Sequence, residues 1–232
     1  MRKPSGPRKS FKLKSKSCGP IRLILASQSE ARRRLLLRLG YSFEIIASNI
    51  DENEIQIQFS DPRKIVRALA RAKAQSVAGS LDTQGDANRA RGAGSTVVIG
   101  SDQILVLSSP AGIKLLGKPL TAAGARRQLK ICSGQKVKLL TGVHLEGLLQ
   151  QAGEAPRQFK KTWVHEVKLQ FRDLSEREIR EYVQLDQPLQ CAGSFKFEEH
   201  GVSLFSRVQT DDSTSIEGLP LLSLNRELLT LT

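Results

Sequence analysis

Cysteine is scarce. The 232-residue chain has 3, at Cys18, Cys132 and Cys191, an odd and scattered set without CxxC spacing. That argues against a disulfide framework and against a zinc site, and it leads to the expectation of a reducing, cytoplasmic compartment. Aromatic residues are also few, at 5%, and the basic residues do not interleave with Phe or Tyr as a surface that stacks single-stranded bases would require. No apolar run approaches the roughly 20 residues of a membrane span, so no contact with the membrane interior is expected. Acidic residues are absent from positions 1 to 20, which hold Arg2, Lys3, Arg8, Lys9, Lys12, Lys14 and Lys16. These seven account for the step from a net charge of +13 to +6 when the segment is set aside. The segment also lacks the apolar stretch of a secretory signal. It reads as a disordered basic extension, and nucleic-acid contact is expected only through it.

What remains, residues 21–232, has the composition of a globular domain, with 39% apolar and 25% charged residues over the whole chain. "IRLILAS" reads as a buried strand, and Ser29 to Leu39 as a helix with Leu35, Leu36 and Leu39 on one face and Gly40 as its stop. "YSFEIIAS" gives a second strand. Asp61-Pro62 opens a longer helix that should end near Gly79. Residues 79–95, rich in Gly, Ala, Ser and Asp without periodicity, read as a flexible insertion. The strand "STVVIGSDQILVL" follows, then a hairpin return containing "LLGKP". A helix from Thr121 to Cys132 precedes two long strands, roughly 136–147 and 160–171, expected to pair antiparallel. Ser175 and Glu178 form a capping box for "SEREIREYV", and "LPLLSLNRELLTL" has the apolar spacing of a closing helix. Strands mixed with crossover helices point to an α/β fold with a mixed sheet.

Three features carry chemistry. A strand that runs into Ser27 and Ser29 and then a helix leaves backbone N–H groups free at the helix N-terminus, where an anion is favoured. Arg32, Arg33 and Arg34 add permanent charge able to grip phosphate oxygens bidentately. At most two of them can face one ligand, and Arg32 and Arg33 lie nearest the helix start. Next, Asp102 interrupts an otherwise apolar strand, where a buried carboxylate demands a partner or a metal. Asp51 and Glu52 follow the second strand, and oxygens from Asp102 and Glu52 would suit Mg²⁺ or Mn²⁺. Finally, Lys73 lies inside the apolar stripe of the long helix, where it can snorkel to the edge, and Lys118 sits in "GKP". Together, these residues would suit a polyphosphate. His144, His165 and His200 are scattered and carry no ligand role.

The blocks "LILASQSEARRRLLLRLGYSFEIIASNIDE", "RALARAKA", "VVIGSDQILVL", "LGKP", "LLTGVHL", "FRDLSEREIREYV", "CAGSFKFEEHG" and "EGLPLLSL" resemble, in family order over about residues 21–229, the Maf family of nucleoside triphosphate pyrophosphatases. The resemblance implies a two-lobed α/β fold like that of the inosine triphosphatases, with a mixed sheet, flanking helices and a central cleft. It implies a homodimer and hydrolysis of a nucleoside triphosphate to monophosphate and pyrophosphate with a divalent cation (Mg²⁺, Mn²⁺ or Co²⁺). By position, Asp102 matches the acid that activates water. Ser27 and Arg32 match the phosphate loop, Glu52 a metal-associated acid, and Lys73 and Lys118 the phosphate-facing lysines. "GSDQ" and "CAGSFKFE" resemble the branch acting on 7-methylguanosine triphosphate, with Gln103 and Glu198 at its specificity positions. Ala31 departs from that branch, which carries an aromatic residue before the arginines and could stack it on a cationic base. Other base preferences, dTTP or UTP among them, and a basic nucleic-acid-binding or cell-division protein are the alternatives.

Overall fold

The protein is represented by a computed structural model that describes residues 21–83, 95–110, 112–150 and 154–231. In chain order the elements are β1 (Arg22–Leu25), α1 (Glu30–Arg38), β2 (Glu44–Ile45), α2 (Glu52–Gln56), α3 (Pro62–Thr83), β3 (Thr96–Ser109) and β4 (Gly112–Leu116). Then come α4 (Ala122–Cys132), β5 (Lys136–Leu149), β6 (Arg157–Phe171), α5 (Glu176–Asp186), β7 (Phe205–Gln209) and α6 (Leu221–Leu229). Short 3₁₀ turns occupy Ala192–Ser194, His200–Leu204 and Ser213–Glu217.

One mixed sheet of 7 strands runs in the order β2-β1-β3-β5-β6-β7, with β4 pairing the far half of β3. β1 is parallel to both β2 and β3, whereas β3, β5, β6 and β7 are joined antiparallel. The mixed α/β architecture expected from the sequence is therefore present. Side-chain alternation along the strands assigns the layers. Leu23 and Leu25 pack with Leu35 and Leu36 of α1 and Leu224 and Leu228 of α6, while Ile24 turns to the opposite face and meets Ala74 and Val77 of α3. Farther along β3, on the α1 and α6 face, Leu105 joins a second core with Leu129 of α4 and Ile179 and Val183 of α5. Each fully buried leucine or isoleucine in these cores stabilises the fold by about 1.5–3 kcal/mol.

Several boundaries differ from the sequence reading. The second strand shrinks from residues 41–48 to two residues, Glu44–Ile45, because only those pair with β1. α3 runs through Gly79 to Thr83, so the insertion expected at 79–95 begins later, and residues 84–94 lie outside the described residues, as does the basic extension 1–20. An interior glycine costs a helix only about 1 kcal/mol, which packing readily overrides. Among the described residues no helix is long and apolar enough to cross a membrane.

Two glycines explain how closely α3 lies on the sheet. A Cβ at Gly100 would stand 2.0 Å from the Ala70 carbonyl oxygen, and one at Gly142 would stand 2.2 Å from that of Val66. Asp102 is two residues beyond Gly100 on β3 and pairs in register with Gly142 on β5, so it shares their face. The absence of both Cβ atoms thus brings the helix backbone down beside Asp102.

Candidate active site

At the end of β1 the Ala26 N–H still donates to the Ile99 carbonyl at 2.8 Å, so the chain leaves the sheet beside Gly100. Ser29 then caps α1, accepting from the Arg32 N–H at 3.4 Å, while its own N–H donates to Ser27 Oγ at 3.2 Å. Two serines thereby fix the entry to the helix, and the remaining first-turn N–H groups have no acceptor within the helix itself. The half-buried Arg32 side chain is held twice. Its Nη1 donates to Ser27 Oγ at 3.3 Å and its Nε to the Gly218 carbonyl at 3.2 Å. Gly218 adopts φ +123°, and a Cβ there would stand 3.2 Å from Arg32 Cγ and Nε, so both backbone and space call for glycine. Burial lowers the Arg32 guanidinium pKa, opposed by the carboxylates of Asp102 and Glu52.

On the α3 face, Lys73 joins two acids from distant parts of the chain. Its Nζ lies 2.5 Å from Asp102 Oδ1 and 2.8 Å from Glu52 Oε1. Lys73 is 5% exposed and Asp102 8%, so this is an ion triad and not a snorkelling lysine. Glu52 comes from the first turn of α2, a short helix capped by Asp51, which accepts from the Asn53 and Glu54 N–H groups. Lys118 approaches Glu52 Oε1 to 4.0 Å from the turn after β4. The Gly117 carbonyl in that turn accepts from Gln128 of α4 at 3.2 Å, which ties the turn down. Burial resists ionisation of Glu52, but Lys73, then Lys118 and Arg32, outweigh it and hold the carboxyl below its usual range.

The structure therefore brings together Ser27, Ser29, Arg32, Glu52, Lys73, Asp102 and Lys118. Arg33 is not among them. It faces solvent and pairs with Glu30 at 2.9 Å along the helix. Ala31 is half-buried in the first turn of α1, with no ring to offer. Glu198 is exposed in the turn after Phe195, and its charge raises the pKa of Cys191 after burial does. Burial, then Glu198, also raises the carboxyl of Glu217, which Arg38 approaches to 3.5 Å. Gln103 points away from the acids. Its Nε2 donates to Ser215 O at 2.8 Å and Thr141 Oγ1 at 2.9 Å.

Ser101, Thr141, Glu217 and Gly218 escaped the reading of the sequence, because their roles depend on pairings across long separations, 74 residues between Thr141 and Ser215 and 117 between Ser101 and Gly218. The strand alternation that places Ser101 and Gln103 opposite Asp102 is the one signal that could have found the first.

As for a cation, two adjacent carboxylates of hard oxygen suit Mg²⁺ or Mn²⁺, but among the described residues no group of three or more His, Cys, Asp or Glu converges. Glu52 and Asp102 could hold such an ion only with further oxygens from a substrate and water, the manner in which Mg²⁺ accompanies phosphates.

The amino-acid sequence matches the family described as Maf-like protein over residues 22–231. A 7-methyl-GTP pyrophosphatase of Nitrosococcus oceani is 41% identical over 208 residues, covering 90% of this chain and 92% of that protein. Its namesake in Pseudomonas aeruginosa is 40% identical over 202 residues, covering 87% of this chain and 92% of that protein. The solved structure of a Staphylococcus aureus Ham1 protein overlaps 89% of this chain and 98% of that chain at 13% identity, with a TM-score of 0.36.

Proposed function

The chain belongs to the family of Maf-like proteins, and from that premise we propose that it hydrolyses a nucleoside triphosphate to the monophosphate and pyrophosphate. The observation that carries this reading is the convergence of Arg32 and Lys73 on Glu52 and Asp102, four segments of sequence meeting at one charged corner. Phosphoryl chemistry needs little covalent help from a protein, because positioning and charge stabilisation dominate.

Arg32, Lys118 and the first-turn N–H groups of α1 bind the triphosphate oxygens. Asp102 orients a water against the α-phosphorus and takes its proton. The new P–O bond forms as the bridging bond between the α- and β-phosphates breaks, and pyrophosphate leaves. Lys73, anchored to both acids, holds Asp102 at a fixed angle and keeps the two carboxylates from repelling each other. A divalent cation held by Glu52 and Asp102 would neutralise charge developing on the phosphates.

The names of the two relatives support 7-methylguanosine triphosphate as the base preference. Glu198 suits it, since a carboxylate accepts from the N1–H and N2 amine of guanine and attracts a cationic base. Ala31 favours a second reading, the same hydrolysis with another base, because alanine cannot stack.

Pyrophosphate release should be measured over a panel of nucleoside triphosphates with Mg²⁺, Mn²⁺ or Co²⁺ and after chelation. Asp102→Asn is expected to lower kcat by about 10²- to 10⁴-fold while nucleotide still binds. Near-normal release by that variant would remove Asp102 from the chemistry, and release unaffected by chelation would remove the cation.

A further inference from the structure

Ser101, Thr141 and Ser215 are each 0% exposed, yet none of them faces the triad. A buried hydroxyl costs free energy unless it is bonded, so a chain that buries three in one place has given them partners. Ser215 Oγ donates locally, to the Asp212 carbonyl at 2.6 Å, and the acceptors of the other two lie in the turn that Asp212 caps. Ser101 Oγ donates to the Gly218 carbonyl at 3.0 Å. Thr141 Oγ1 donates to the Ser215 carbonyl at 3.2 Å. Gln103 Nε2 donates to Thr141 Oγ1 at 2.9 Å, to Ser215 O at 2.8 Å and, longer, to Ile216 O at 3.4 Å. The two N–H bonds of that amide are thereby committed to the turn and to β5. At its far end the turn presents the Gly218 carbonyl that also accepts from Arg32 Nε.

We infer that Gln103, Ser101 and Thr141 act together as positioning residues for Arg32, fixing the 213–218 turn so that Gly218 holds the guanidinium where phosphate oxygens arrive. β3 then sets both halves of the site through its alternation. Asp102 faces α3 and the triad, while Ser101 and Gln103, one residue to either side, face the turn that steers the arginine. The distance between water-orienting acid and phosphate-gripping arginine is built into three consecutive residues of one rigid central strand. Gln103 accordingly serves every substrate alike, because it acts on the phosphate end and not on the base. This inference rests on the pyrophosphatase reading, and it adds to that reading where the arginine's geometry comes from.

The test uses inorganic tripolyphosphate, a ligand without a base, as a competitive inhibitor of the full-length protein. Gln103→Met and Ser101→Ala should each raise its inhibition constant about three- to tenfold, the loss expected from one or two hydrogen bonds. The KM values for 7-methylguanosine triphosphate and GTP should rise in proportion, leaving their ratio unchanged. In an Arg32→Ala background the same two substitutions should have no further effect, since their influence passes through Arg32. Ser101→Ala removes a single oxygen and serves if Gln103→Met folds poorly. Additive effects with Arg32→Ala would overturn the inference, as would a changed ratio between the two nucleotides at constant tripolyphosphate affinity. A wild-type protein that binds no tripolyphosphate and releases no pyrophosphate would instead overturn the pyrophosphatase reading, and this inference with it.

Discussion

Lys73→Met should weaken both stability and turnover, for a reason that no local stretch of sequence contains. The spacing of Lys73 within the apolar stripe of α3 is that of a lysine whose stem packs and whose head escapes to water. What keeps the head inside is Asp102, 29 residues away, and Glu52 from a different helix. Removing the ammonium leaves two carboxylates facing each other, one of them buried, and breaking a buried pair in this way costs about 3–5 kcal/mol. The pH dependence gives the signature. In the wild type the depressed Glu52 carboxyl contributes stability that is present above its unfolded value of about 4.3 and is lost as the pH falls through its lower folded value. In Lys73→Met the Glu52 carboxyl loses the ammonium that contributes most to its depression, and that share of the stability goes with it. The deficit in urea midpoint should therefore hold from neutrality down to about 4.3 and should narrow as the pH falls below that value. A deficit that stays constant with pH would mean the lysine matters through its packing alone. Asp102, by contrast, was legible from its own neighbourhood, since a carboxylate in a strand between the apolar runs 97–99 and 104–107 has to be explained by some partner.

At the scale of elements, the contact between α3 and the sheet is the part most exposed to single-atom changes. Gly100→Ala or Gly142→Ala places a Cβ at 2.0 Å or 2.2 Å from a helix carbonyl, which only a movement of α3 can relieve. Each should cost about 1–3 kcal/mol or somewhat more, the usual range for overpacking a filled interface. Each should also lower kcat, because lifting the helix draws Lys73 away from Asp102. Gly79→Ala on the same helix meets open space and should stabilise by about 0.5–1 kcal/mol. Chemical denaturation of the three variants together separates a packing effect from a general intolerance of the helix. The long elements α1, α3, α4, α5, β3, β5 and β6 were readable because periodicity, a capping box or an Asp-Pro start marks each of them. α2, β7 and the turn at Ser213–Glu217 were not. α2 and β7 have only 5 residues each, too short for a period to declare itself. The turn is capped by its own Asp212, which accepts from the Thr214 N–H at 3.1 Å, but it is tied to the sheet by Gln103 and Thr141, which lie far away in sequence. Arg33 shows the complementary limit, since three adjacent arginines could be narrowed to two by helix geometry but the choice between them required Gly218.

Across the whole molecule the positive charge is divided between the candidate site and the first 20 residues, which lie outside the described residues and hold seven lysines and arginines. Every residue placed at the candidate site, from Ser27 to Gly218, lies beyond position 20, and β1 begins at Arg22 with its N–H already donated to Ser95 O at 2.8 Å. Deleting residues 1–20 removes seven positive charges and no negative ones, taking +13 to +6. Two functions can thus be separated by one truncation. If the protein acts on free nucleotides, kcat/KM for pyrophosphate release should stay within about twofold, because Arg32, Lys73 and Lys118, which supply the positive charge of the site, are all retained. Binding to duplex DNA should behave differently. Any such affinity comes from lysines and arginines displacing counterions, and each phosphate neutralised contributes about 0.9 to the slope of log affinity against log salt. The truncated chain should lose most of that slope while its hydrolysis is unchanged. Were truncation to abolish pyrophosphate release and leave the salt slope intact, the basic extension would belong to the catalytic machinery, and the division of charge argued here would be wrong.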